Sequence, residues 1–184
     1  MSIFIGLDMS LSSTGFCLKD SLHMTMDTIR TKPDSFTNDL DRLKHIAAET
    51  MKRIPKDVTM ICMEDFFTPF SGGTVGAAIS LAMLGTLVRM NIYEAGRPFY
   101  LISASQLKKY ATGKGNSQKS IVICEVYKRW GVDCKDDNQA DACVLAFMAE
   151  AIYDSVHGQD VSHLTQFQAE VISKVIADRP HYNC

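Results

Sequence analysis

Three carboxylates stand where an α/β protein collects its ligands. Asp8 closes the apolar run Ile3-Phe4-Ile5-Gly6-Leu7, Glu64 closes a second run over residues 58–63, and Asp141 falls in the first turn of a helical stretch. The crevice at the carboxyl ends of strands is where open α/β sheets bind. Carboxylates gathered there repel unless a divalent cation neutralises them, and hard oxygen donors suit Mg²⁺ or Mn²⁺. Two such ions about 4 Å apart activate water and stabilise the leaving oxygen in phosphodiester hydrolysis. Each position alone has an ordinary reading: a strand-end Asp serves a turn, and Asp137 suits a helix N-cap. Their order, two strand ends and then a helix start, is what points to one shared site.

The elements that must position these groups follow from periodicity. Short extended segments at residues 3–8, 15–18 and 23–29, joined by tight turns, predict an antiparallel meander. Leu40, Leu43, Ile46, Ala47 and Met51 recur at helical spacing over residues 36–54, and Pro55 stops that helix. A strand at 58–64, a long helix at 74–94 after Gly72-Gly73, and a strand at 99–102 come next. Ser103 or Ser105 caps a short helix to Tyr110, a Gly/Lys loop spans 112–117, and Ser117 caps a helix to Trp130. Amphipathic helices at 138–156 and 162–177 complete the chain. The expected fold is α/β, a mixed five-stranded sheet of three antiparallel strands then two parallel ones, flanked by helices. With 184 residues and no repeat or linker, one domain over 1–184 is expected, its last helix (about 160–178) an appended element.

Composition narrows the classes. The net charge of −2 and pI near 6.2 exclude a protein coated in positive charge. Residues 97–130, however, hold seven basic side chains (Arg97, Lys108, Lys109, Lys114, Lys119, Lys128, Arg129) against Glu125 alone. Residues 131–184 hold nine acidic against three basic, so a phosphate-gripping segment is masked by an acidic one. The start MSIFIG has no signal-peptide pattern, and the apolar stretches at 79–90 and 142–149 stop short of about 20 residues. No membrane span is expected, and a cytoplasmic, intracellular location is. Six cysteines without a C-x-x-C pair read mostly as small core residues. There is no H-E-x-x-H or G-x-S-x-G, and the loop from Gly113 to Ser120 fails as a P-loop because Gln118 stands where its second Gly must be.

At this point the residues resemble a known family. Ile5-Gly6-Leu7-Asp8 with Thr14-Gly15-Phe16, Met63-Glu64-Asp65-Phe66-Phe67, Lys108 and Lys119 around a Gly-containing loop, and Ala140-Asp141-Ala142 are similar, in order, to the motifs of the RuvC Holliday junction resolvases. Ile29-Arg30-Thr31-Lys32 with Arg42-Leu43-Lys44 resembles that family's lead into its first helix. The resemblance covers roughly residues 3–155 and implies a ribonuclease H-like nuclease. It implies Asp8, Glu64 and Asp141 as catalytic metal ligands, with two Mg²⁺ per active site (Mn²⁺ able to substitute) and no organic cofactor. It implies Lys108 and Lys119 at the scissile phosphate and Phe67 as an aromatic stacking on an unpaired base, core packing being its ordinary alternative; Lys109 and Lys114, from the basic segment, are expected as further DNA contacts. The implied partner is branched DNA, a four-way junction cut by paired nicks in recombination and repair. A homodimer would join through the helix at 74–94, whose ordinary role is burial on the sheet.

Two departures matter. Met9-Ser10 replace the family's Pro-Gly, and Asn138 stands where it carries Asp or His three residues before the last Asp. Asp136, Asp137 or Asn138 is left to supply the fourth group; Asp137 is favoured as a ligand or water-orienting carboxylate. Rival readings are a related nuclease acting on RNA–DNA hybrids or other branched DNA, a non-catalytic junction binder, and an actin-like nucleotide module. The last needs two such domains.

Overall fold

A computed structural model describes residues 1–65 and 75–178. The sheet has the order β3-β2-β1-β4-β5, formed by β1 (Phe4–Asp8), β2 (Ser13–Lys19), β3 (Met24–Arg30), β4 (Met60–Glu64) and β5 (Phe99–Ile102). The first three strands form the antiparallel meander, and β1, β4 and β5 run parallel. Strand β1 sits centrally, flanked by β2 and β4, which is why its five residues are all buried and apolar apart from the terminal Asp8.

Alternation along the strands splits the core in two. Ile5, Leu7, Ile61, Met63, Phe99 and Leu101 face α1 (Asp39–Arg53) and α2 (Val75–Glu94). Phe4, Cys17, Met60, Cys62, Tyr100 and Ile102 face α3 (Ala104–Thr112), α4 (Lys119–Trp130), α5 (Asp137–Val156) and α6 (Gln166–Asp178). Helix α5 crosses the sheet at β1 and β2, and two glycines make that crossing close. A Cβ on Gly6 would collide with the backbone of Ala142 and Ala146, and one on Gly15 with the carbonyl of Asn138. The glycines of the first motif are therefore a seat for the helix that carries Asp141.

Element boundaries differ from the sequence reading where side chains cap. Helix α1 starts at Asp39, not Phe36, because Asn38 accepts from the Asp41 N–H; Pro33–Ser35 form a separate 3₁₀ turn. Helix α5 starts at Asp137 because Asp136, not Asp137, is the N-cap, accepting from Gln139 N–H. Ser117 does not cap α4: Gln118 holds the N-cap position without a side-chain bond, and the Ser117 hydroxyl donates to the Lys114 carbonyl at 3.0 Å instead. Ser103 does cap α3, in a reciprocal box with Gln106. Helix α6 begins at Gln166 after a turn in which Thr165 donates to Gln168 Oε1.

Helix α2 matches the long helix expected over residues 74–94, and its apolar character extends beyond the 79–90 run. An 18-residue stretch of its 20 residues has a mean hydropathy of 1.5, enough by length and composition to cross a membrane. Four residues, Leu84, Gly85, Val88 and Ile92, are buried, and α1 packs against it. Val75, Ile79, Met83, Met90 and Tyr93 are exposed. Cys17, Cys62, Cys134 and Cys143 are buried, as expected, whereas Cys124 is exposed.

Candidate active site

The site is built from three backbone decisions. On β1 the positions Phe4, Gly6 and Asp8 share the face toward α5, and on β4 so do Met60, Cys62 and Glu64. Parallel register pairs Leu7 with Met63, so Asp8 and Glu64 emerge side by side at the carboxyl edge. Helix α5, seated on Gly6 and Gly15, brings Asp141 to the same edge one turn after its start. The three carboxylates line one cavity of about 350 Å³ with Met9, Ser10, Ala104, Leu107, Lys108, Lys119 and Asn138.

The turn that replaces Pro-Gly is held by hydroxyls. Thr14 Oγ1 donates to the Ser10 carbonyl at 2.7 Å and accepts the Ser10 N–H at 3.1 Å. Ser10 Oγ accepts from the N–H groups of Ser12 and Ser13. Arg42 braces the same turn from α1, its guanidinium donating to the Leu11 carbonyl at 2.6 Å and to Thr31 Oγ1 at 3.0 Å. These contacts hold the turn after Asp8 and so fix the strand end that carries it.

Electrostatically the pocket is under strain from like charges. Asp8 is 6% exposed. Its carboxyl is held well above the usual range by burial, then by the charge of Glu64, with which it shares a hydrogen bond, and by Asp141; Lys119 opposes. Asp141 is pushed up to about 7, again by burial first and the charge of Glu64 second, with Lys119 and Lys108 pulling down. A divalent cation would relieve such a set of buried, mutually repelling carboxyls, because it takes the place of protons and cancels the repulsion. Among the described residues no group of three or more His, Cys, Asp or Glu has the arrangement of a metal-binding cluster.

The remaining expected residues separate clearly. Asp136 caps α5 and pairs with Arg30 at 3.0 Å. Asp137 pairs with Lys119; that contact raises the lysine's pKa and lowers the carboxylate's, and Asp137 is not part of the cavity lining. Asn138 is part of it. Lys108 lines the cavity, Lys114 is exposed on the α3–α4 loop, and Lys109 turns away to Glu170 of α6 at 3.1 Å. Phe67 lies outside the described residues. Sequence reasoning missed the pair of Arg89 on α2 with Asp65, 3.0 Å, immediately after Glu64. The Met63-Glu64-Asp65 string contains the acid, but only the fold brings the arginine to it.

A β3-β2-β1-β4-β5 sheet with acidic side chains at the ends of β1 and β4 and at the start of the crossing helix defines a ribonuclease H-like fold. The family model for crossover junction endodeoxyribonuclease RuvC matches residues 4–149, and the chain belongs to that family. Among solved structures it is similar to Thermus thermophilus RuvC, with 18% identity and a TM-score of 0.65 over 85% of this chain and 97% of that one. It is also similar to T. thermophilus RuvC in complex with a Holliday junction substrate, with 18% identity and a TM-score of 0.64 over 86% and 97%. No curated protein sequence matches.

Proposed function

We propose that the protein is a metal-dependent, structure-selective endonuclease that resolves four-way DNA junctions by paired nicks, acting in the cytoplasm in recombination and repair. The observation that carries this reading is the convergence of Asp8, Glu64 and Asp141 on one cavity that also holds Lys108 and Lys119. Family membership and the likeness to a RuvC solved with a Holliday junction support the substrate.

Asp8, Glu64 and Asp141 would hold two Mg²⁺ ions, for which Mn²⁺ can substitute, and Asn138 offers a neutral oxygen beside them. When bound, such ions supply a water nucleophile at neutral pH and charge stabilisation at the phosphodiester. The chain's own residues do the rest. The short strand ends and the glycine-seated helix hold the carboxylates in place before substrate arrives. Lys108 and Lys119 offer ammonium donors to phosphate oxygens on the cavity wall. Asp137 orients Lys119 and keeps it charged. Hydrolysis breaks the bond from phosphorus to the leaving oxygen, which takes a proton, while the water oxygen bonds phosphorus. Lys114, exposed on the α3–α4 loop, contacts the flanking backbone.

A two-fold symmetric junction needs two such sites at a fixed separation, hence a homodimer. The exposed apolar face of α2, with Ile79, Met83 and Met90, is the surface we assign to it. The test is cleavage of a four-way junction with Mg²⁺ by the unaltered protein and by Asp8→Asn. Loss of cutting with binding retained supports the site, and unchanged cutting overturns it.

A further inference from the structure

Helix α6 begins at Gln166, beyond residue 149 where the family match ends, yet it is joined to the basic segment. Its Val171, Ile172 and Val175 are buried in the same core as α3, α4 and α5. At its first turn, Phe167 covers the end of α3. Its ring carbons lie 3.7–3.9 Å from where a Cβ on Gly113 would stand. Gly113 is the left-handed C-cap of α3, with φ of 83°, and it directly precedes Lys114.

Arg129, in the last turn of α4, lies over the same ring. Its guanidinium carbon is 5.1 Å from the centroid of the Phe167 ring. Its Nε–H donates to the Ala111 carbonyl at 2.7 Å, so the end of α4 is tied to the end of α3 beneath the ring. The loop between the two helices is tight. Thr112 Oγ1 donates to the Lys108 carbonyl at 2.8 Å and accepts the Lys114 N–H at 3.1 Å. The Lys114 side chain is exposed and makes no ion pair among the described residues, while α6 engages Lys109 through Glu170. The appended helix thus occupies one lysine of the segment and fixes the backbone under another.

We propose that Phe167 is a positioning residue for Lys114: by packing on Gly113 and Arg129 it sets the α3–α4 loop so that Lys114 meets a backbone phosphate at a fixed distance from the carboxylate cavity. This inference rests on the reading of the protein as a DNA binder. A phosphate contact made by a lysine contributes about one unit to the slope of log affinity against log salt. A residue acting only through that lysine must therefore change the same slope, and must do nothing once the lysine is gone.

The experiment is a salt titration of binding to a labelled four-way junction in EDTA, so that no strand is cut. Phe167→Ala and Lys114→Gln are each expected to lower the slope by about one. The double variant is expected to match Lys114→Gln, and Phe167→Leu, which keeps apolar packing, to bind as the unaltered protein does. Additive losses in the double variant, a weaker affinity with unchanged slope, or normal binding by Phe167→Ala would each overturn the positioning role. Failure of the unaltered protein to bind the junction would instead overturn the DNA-binding reading itself.

Discussion

Removing one of the carboxylates that line the cavity should make the metal-free protein more stable, and Asp141 is where the effect can be sized. Its carboxyl titrates near 3.8 when free of the fold and at about 7 in the folded protein. Between those values the native state holds a proton that the unfolded chain has lost, so stability falls as pH rises through that window. The shift of about three units corresponds to about 4 kcal/mol above pH 7, the ceiling on what Asp141→Asn can recover. The amide keeps the shape and the hydrogen-bonding reach without the charge. At roughly 2–4 °C per kcal/mol for a chain of this length, the metal-free variant should melt several degrees above the unaltered protein at pH 8. The difference should vanish near pH 4, where both carry an uncharged group. The assay is thermal unfolding in EDTA from pH 4 to 8, repeated with excess Mg²⁺. Bound cation stabilises the folded state by mass action, so the unaltered protein should gain and the variant should gain less. Equal melting temperatures at pH 8 in EDTA would refute the reasoning, because the cost inferred for a buried charge at Asp141 beside Glu64 would then be absent.

Other substitutions probe separate parts of the machinery. Asp8→Asn should reduce Mg²⁺-dependent cutting by at least roughly 100-fold while junction affinity in EDTA stays within about twofold, measured by gel cleavage and by fluorescence anisotropy. Gly15→Ala drives a methyl into the Asn138 carbonyl, so it should cost about 3 kcal/mol or more in urea unfolding and displace the helix start that carries Asp141. If α2 forms the proposed dimer surface, the unaltered protein should scatter light as a dimer at micromolar concentration and Met83→Glu as a monomer, with folding preserved because the side chain is 45% exposed.

The meander, the parallel pair and the order of helices were legible because each element carries a clean period and a stop. The strand-end positions of Asp8 and Glu64 were legible for the same reason. What the linear pattern could not show was which neighbour a polar side chain would choose. Asp136, Asp137 and Asn138 are adjacent, yet one caps α5 and meets Arg30, one holds Lys119, and one lines the cavity. That sorting depends on a helical rotation fixed by packing of α5 on Gly6 and Gly15. Ser117 has the chemistry of an N-cap, but the helix starts one residue too late for it to cap: Gln118 holds the cap position, and the Ser117 hydroxyl donates to the Lys114 carbonyl within the preceding loop. Lys109 and Lys108 are equally basic in sequence, and only the docking of α6 separates a lysine paired with Glu170 from one at the cavity.

The most direct test of the central claim is cleavage of a mobile four-way junction with Mg²⁺, products mapped to the nucleotide, beside a linear duplex, a Y-fork and an RNA–DNA hybrid. The expected result is a pair of symmetric nicks in opposing strands of the junction, absent from the other substrates and lost in Asp8→Asn. Equal cutting of the linear duplex or the hybrid, or no cutting of the junction at all, would contradict it.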